Sequence, residues 1–299
     1  MSPEGRKNLL KRIEEEAGVL SAPDAAPKAE APMPMARSPK IRADEPTLNP
    51  PDLDRHGIGL PDLRALWPYV NWGFLKTKHL GTKGPRDARG EDPNTLLAEL
   101  RALCEGGAMK ARGVYRFLHA DSKGNTLFLY DASGRELERF DFPRQRGGDG
   151  LCLADFARPK GSGLDHVALF AVTTGEGIRE QAEALKAKGE YLRSHALQAL
   201  ALEAAEAYAE KLHRDLRAAW GFPDPPEMTM TDRFQKKYRG VRVSFGYPAC
   251  PELADQEKLF RLLKPEEVGI QLTEGHMMEP EASVSALVFH HPQAGYFST

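Results

Sequence analysis

Cysteine is scarce in this chain. Cys104, Cys152 and Cys250 are the only three in 299 residues, far apart and without a C-x-x-C pair. That spacing excludes a disulfide framework and a clustered cysteine site for zinc. Excess charge of one sign is also lacking: 41 Lys and Arg against 43 Asp and Glu leave a formal charge of −2. Electrostatic capture of nucleic acid or of an anionic membrane is thereby disfavoured. No apolar run approaches a membrane span, and the N-terminus has no apolar export segment. What remains, 41% hydrophobic and 28% charged residues, is the composition of a cytoplasmic globular protein with one large domain or two small ones.

Proline, by contrast, is concentrated. Residues 21–52 hold eight prolines among alanines and charges, the composition of an extended, semi-rigid linker. Before it, Ser2-Pro3-Glu4 reads as a helix start, followed by a short apolar stripe of Leu9, Leu10 and Ile13. The globular part is expected from about Leu60. A helix is predicted at Asn94–Glu105, and strands at 113–118, 125–131 and 136–142, with turns at Asp121–Asn125 and Asp131–Arg135. Leu164–Thr174 is apolar and β-branched enough for a central strand. Glu180–Gly221 reads as helix with a break at Gly189. Its stripe of Leu197, Ala201, Ala204, Tyr208, Leu212 and Leu216 recurs at three- and four-residue steps. Glu203, Glu206, Glu210 and His213 are expected on the opposite, solvated side. Strands return at 241–245 and 283–289. Hairpins mixed with long helices predict an α+β domain with a largely antiparallel sheet.

The densest chemistry lies in Arg242-Val-Ser-Phe-Gly-Tyr247-Pro-Ala-Cys250-Pro251. An arginine offers a planar donor fork for a carboxylate or phosphate, and Gly246, Pro248 and Pro251 fix an unusual, rigid turn. These residues suit a small ligand carrying a carboxylate and a flat ring. They equally suit an ordinary strand ending in a Pro-rich turn. Pro68-Tyr-Val-Asn71-Trp72 is a second cluster, readable as a binding edge or a hydrophobic anchor. The C-terminal His290-His291-Pro292…Tyr296-Phe297 is a third, although adjacent strand histidines point to opposite sides and do not share a metal. Two short patterns are read as chance. Asp54-Arg-His56-Gly-Ile-Gly59 matches Asp-x-His-x-x-Gly without the strand–helix context of a cobalamin-binding domain. The glycines at 147–150 and 161–163 lie in loops, not in a phosphate-binding strand–turn–helix.

Taken in order along the chain, several segments resemble a known family, the C-terminal activation domain of cobalamin-dependent methionine synthase. They are Leu151-Cys-Leu-Ala-Asp155, Ala168-Leu-Phe-Ala-Val-Thr173, Glu206-Ala-Tyr-Ala-Glu-Lys-Leu-His213, Gly246-Tyr-Pro-Ala-Cys-Pro251, Leu272-Thr-Glu274, Ala282-Ser-Val-Ser285 and His291-Pro…Tyr296-Phe297. The resemblance covers residues 60–299. It implies a single C-shaped α+β domain, a twisted antiparallel sheet with long flanking helices. Residues 1–20 would then be a helix from a preceding cobalamin-domain connection, and 21–59 the linker.

The resemblance further implies an S-adenosylmethionine site. Arg242 would hold the methionine carboxylate and Glu206 would face the ammonium or sulfonium. Ser244 would lend backbone groups, Tyr247 would touch the ligand from the turn, and Tyr296 and Phe297 would line the adenosine end. Asn71 stands where better-known members carry an acid, which implies weaker hold on a cationic ligand. No residue is assigned acid–base catalysis or a metal. Cobalamin would be bound outside this chain, with a cobalamin-binding domain, in cis or in trans, and a flavodoxin-like electron donor as partners. The implied role is to present a methyl group for remethylation of the inactive, oxidised cofactor. Alone, the chain is expected to bind S-adenosylmethionine without making methionine. The alternative is a stand-alone protein serving another corrinoid methyltransferase in trans.

Overall fold

The longest apolar run of the chain becomes the middle of its sheet. In the computed structural model, which describes residues 36–81 and 92–299, β5 (Asp165–Glu176) is buried along almost its whole length. Its side chains alternate between two cores. Ala168, Phe170 and Val172 face one, and Val167, Leu169 and Ala171 face the other, as period-two geometry requires of a strand covered on both sides. The first core is closed by the helices Pro93–Leu103, Ile178–Ala187 and Tyr191–Ala219. The second is closed by the helix Gln256–Leu263 and the 3₁₀ turn Leu153–Phe156. Helices of one side, sheet, and shorter elements of the other make three layers.

β2 (Lys110–Lys123), β3 (Thr126–Tyr130), β4 (Glu136–Asp141), β6 (Val241–Val243) and β9 (Ser283–Phe289) extend the sheet in the order β4-β3-β2-β5-β9-β6, and a seventh strand pairs with β2 off that path. All of its pairings are antiparallel. The predicted α+β class and its antiparallel sheet are therefore observed. So are the expected helix break, with Gly189 at φ +79° between two helices, and the buried stripe from Leu197 to Leu216. A separate hairpin pairs β7 (Gln271–Leu272) with β8 (Met278–Glu279).

Two expectations differ from the structure. Within the segment read as linker, residues 55–59 belong to β1 (Arg55–Leu60), which pairs with β2, and Ile41 is buried in the second core. Arg37 and Ser38 also bind Asp155, through its carbonyl and carboxylate respectively. Side-chain docking and backbone pairing fix this stretch despite its prolines, so the folded body begins well before Leu60. The proposed helix at residues 1–20, like the linker up to residue 35, lies outside the described residues. The second difference is the helix face expected to be solvated: only Glu206 is exposed there, whereas Glu203, Glu210 and, completely, His213 are buried. The His213 ring meets Tyr238 edge-on at 5.1 Å, because the segment leading into β6 packs across that helix face.

Candidate functional site

β6 is an edge strand, and its middle residue is Arg242, opposite Val288 of β9. Gly240 makes this edge possible. Its φ is +80°, and a Cβ there would lie 2.5 Å from the Phe289 carbonyl oxygen, so only glycine lets the chain enter β6 this close to β9. After β6 the chain turns sharply. The Cys250 N–H donates to the Tyr247 carbonyl at 2.8 Å, and the Gly246 N–H to the Cys250 carbonyl at 2.8 Å. Pro248 takes the second turn position, where its fixed φ is favoured. Gly246 has φ +92°, and a Cβ there would lie 3.1 Å from the Leu253 side chain. The C-terminal segment is tied alongside, since the Thr299 hydroxyl donates to the Pro248 carbonyl at 2.7 Å and Gln145 Nε2 to the Ser298 carbonyl at 2.7 Å.

Between this turn, the C-terminal segment and the long helix lies a groove of about 500 Å³. Glu206, Arg242, Ser244, Tyr247, Tyr296 and Phe297 all line it. Six residues picked from sequence, scattered over 92 positions from 206 to 297, thus share one cavity. Arg242 Nη2 donates to Glu206 Oε2 at 3.1 Å, and its Nε lies 3.7 Å from Glu210 Oε2. Burial alone would lower the guanidinium, but Glu206 and Glu210 hold it above its ordinary value. The Tyr238 hydroxyl donates to Glu210 at 3.3 Å. Burial raises Glu210, and Arg242, Arg217 and that hydroxyl only partly offset it. Arg242 Nε and Glu210 Oε1 are both buried without a hydrogen-bond partner among the described residues. Tyr296 exposes 45% of its surface. Its inner end is desolvated, and burial raises it against the pull of the Arg242 guanidinium. Phe297 packs edge-on against Phe156 at 6.1 Å. Tyr247 is 63% exposed at the rim.

Asn71 does not line the groove. Its side-chain oxygen accepts the Phe74 N–H at 3.0 Å and caps the short helix Trp72–Phe74. The same segment reaches the long helix through His79, whose Nε2 lies 3.2 Å from Glu203 Oε1, one turn from Glu206. Lys236, Glu210 and Tyr238 were not picked out as ligand residues. Glu210 carried a signal, since it follows Glu206 by four residues and so shares its helix face. Lys236 and Tyr238 carried none.

The remaining candidates are structural. His290 Nε2 binds Asp165 Oδ1 at 2.7 Å, and His291 Nε2 faces the Arg42 carbonyl at 3.1 Å. Asp155 pairs twice with Arg144, at 2.5 and 2.9 Å, both side chains being buried. The three cysteines are buried and unbridged. Burial pushes Cys104 up to about 12 and Cys152 up to about 11, so both stay thiols at neutral pH. Among the described residues no cluster of His, Cys, Asp and Glu is arranged to hold a metal ion. No helix among them is long and apolar enough to cross a membrane.

A guanidinium and a carboxylate side by side in a groove with aromatic walls define a small-molecule-binding module, one fitted to a zwitterion with a flat group attached. Residues 62–299 match the family described as vitamin B12 dependent methionine synthase, activation domain, and the chain belongs to that family. The chain is 32% identical over 261 residues to methionine synthase of Mycobacterium tuberculosis (strain ATCC 25618 / H37Rv) and 35% over 259 residues to that of Mycobacterium leprae (strain TN). Each match takes in 80% of this chain but spans only 21% of the relative's length. Among solved structures, a MetH reactivation domain bound to AdoHcy superposes with a TM-score of 0.77 at 27% identity, covering 88% of this chain and 85% of that one.

Proposed function

We propose that the groove binds S-adenosylmethionine and presents its methyl group for the reductive remethylation of an inactive cobalamin. The chain would thereby serve as the reactivation module of a cobalamin-dependent methionine synthase. The observation that carries the reading is the Arg242–Glu206 pair in one groove with Tyr247, Tyr296 and Phe297. An amino-acid zwitterion can replace such a pair group for group, carboxylate on Arg242 and ammonium toward Glu206. The orphaned Arg242 Nε is a donor still unused, as a ligand site requires. Ser244 supplies backbone groups at the same edge, and the aromatic rings suit an adenosine and a neighbouring cation. The neighbour's AdoHcy is the demethylated form of the same molecule.

Nothing in the groove needs to move a proton. The protein's contribution is to hold the sulfonium in one orientation toward an acceptor, which is catalysis by positioning. Cobalamin supplies the methyl-accepting cobalt. In this reading it is held by another domain or chain, with an electron donor of flavodoxin type, in the cytoplasm. The methyltransferase activity of the whole enzyme, and methionine synthesis with it, belongs to the assembled protein. Action in trans on a separate corrinoid methyltransferase is the second reading, and it uses the same groove.

Calorimetric titration of the chain with S-adenosylmethionine tests the proposal. Wild type is expected to bind saturably and Arg242→Ala about 30-fold or more weakly, the cost of a hydrogen-bonded charge partner. Equal affinity in the two proteins would overturn it.

A further inference from the structure

Lys236 lines the groove, and its Nζ lies 3.7 Å from the centre of the Tyr296 ring. Its backbone is left-handed, with φ 57°. It follows the short helix Met230–Phe234 and sends its N–H back to the Arg233 carbonyl at 2.8 Å. Glycine or asparagine is favoured at such a position, so lysine stands there against the backbone's own preference. The residue is exposed overall, but its ammonium sits over Tyr296 in the groove that Arg242 also lines. Burial first and Arg242 second hold it below its ordinary value, against the pull of Glu210 and Glu206.

On the reading of the groove as an S-adenosylmethionine site, we propose that Lys236 is a specificity-determining residue: it weakens the hold on the sulfonium relative to the neutral thioether, AdoHcy. The argument is one of occupancy and charge. The Tyr296 face is the surface of the groove that best receives a cation, and an ammonium already covers it. A sulfonium entering the groove must displace that ammonium or lie beside it, and either way it meets a like charge within a few ångströms. The thioether carries no charge at sulfur and escapes this penalty. Carboxylate, ammonium and adenosine are common to both ligands, so their contacts cancel in the comparison. A groove biased in this way retains the spent ligand and releases the methyl donor more readily than its aromatic wall alone would.

The test is titration of the full chain with each ligand, in wild type, Lys236→Met and Lys236→Arg. Lys236→Met should shift the ratio of the two affinities about three- to tenfold toward S-adenosylmethionine. Lys236→Arg, which keeps a cation over the ring, should retain the wild-type ratio. A Lys236→Met protein whose two affinities move by the same factor, or not at all, would overturn the proposal. If wild type binds neither compound, the reading of the groove itself fails and this inference falls with it. Binding that Arg242→Ala abolishes upholds that reading whatever Lys236 does.

Discussion

Arg242 Nη2 and Glu206 Oε2 lie 3.1 Å apart, joining edge strand β6 to the middle of the long helix inside the groove. The site is therefore paired with itself, and a carboxylate that takes up Arg242 Nη2 displaces Glu206 from it. Displacement is balanced only when the ligand brings a cation of its own. Glu206→Gln is accordingly expected to act in opposite directions on two ligands. S-adenosylmethionine should bind about tenfold more weakly, having lost a charge partner. A simple carboxylate without an amine should bind no worse than to wild type. Because the Glu206 side chain is 53% exposed, folding stability should change by no more than about 1 kcal/mol. Competition calorimetry with the two ligands checks this, and parallel losses for both would refute the exchange.

Asn71 caps a helix through an oxygen that aspartate also possesses. Asn71→Asp should therefore keep the cap and alter stability by less than about 0.5 kcal/mol. It would add a negative charge to the segment that His79 fastens to Glu203. If that segment contributes to the site, affinity for S-adenosylmethionine should rise a few-fold, and more so at low salt. An unchanged titration at low salt would confine Asn71 to its capping role.

The entry into β6 depends on Gly240, where a Cβ would lie 2.5 Å from a backbone oxygen that cannot move aside. Gly240→Ala should cost at least ~2 kcal/mol in urea unfolding, from the left-handed φ and the displaced strand. Ligand affinity should fall with it, since the strand carries Arg242. Gly57→Ala is the control, with nothing within 4 Å of its Cβ, and it should stay within about 0.5 kcal/mol of wild type. Equal costs for the two substitutions would show that the close approach at Gly240 is not what orders the edge.

What could be read from sequence was whatever one element displays by itself. The apolar run of β5 and the stripe from Leu197 to Leu216 announce burial without reference to any other part of the chain. Arg242 and Tyr247 were legible because glycine and proline mark their turn. The failures share a cause, which is that the deciding partner lies far away. Nothing local says that Ile41 is buried or that Arg37 reaches Asp155, 118 residues on. β1 carries Gly57 and Gly59 in place of strand-forming residues, and it is ordered by pairing with β2. His213 looks polar on a helical wheel, but Tyr238, 25 positions later, covers it. Lys236 sits on Tyr296 across 60 residues, which no pattern could anticipate.

Buried histidines should govern the acid limit of folding. Burial, with His119 beside it, pushes His166 down to about 4. His213 is held well below its ordinary value by burial and by Arg217 and Arg242. Both are therefore neutral in the folded chain, whereas in the unfolded chain each takes up a proton near pH 6.5. Between about pH 6.5 and 4 the unfolded state binds more protons, so stability rises with pH across that window and is lost as pH falls through it. By pH 5 His166 alone should account for a loss of about 2 kcal/mol relative to neutral pH. Urea unfolding of wild type and His166→Asn at pH 7.5 and pH 5 measures this. The wild type should lose about 2 kcal/mol more than the variant over that interval, and equal losses would mean that His166 is already free to protonate in the folded state.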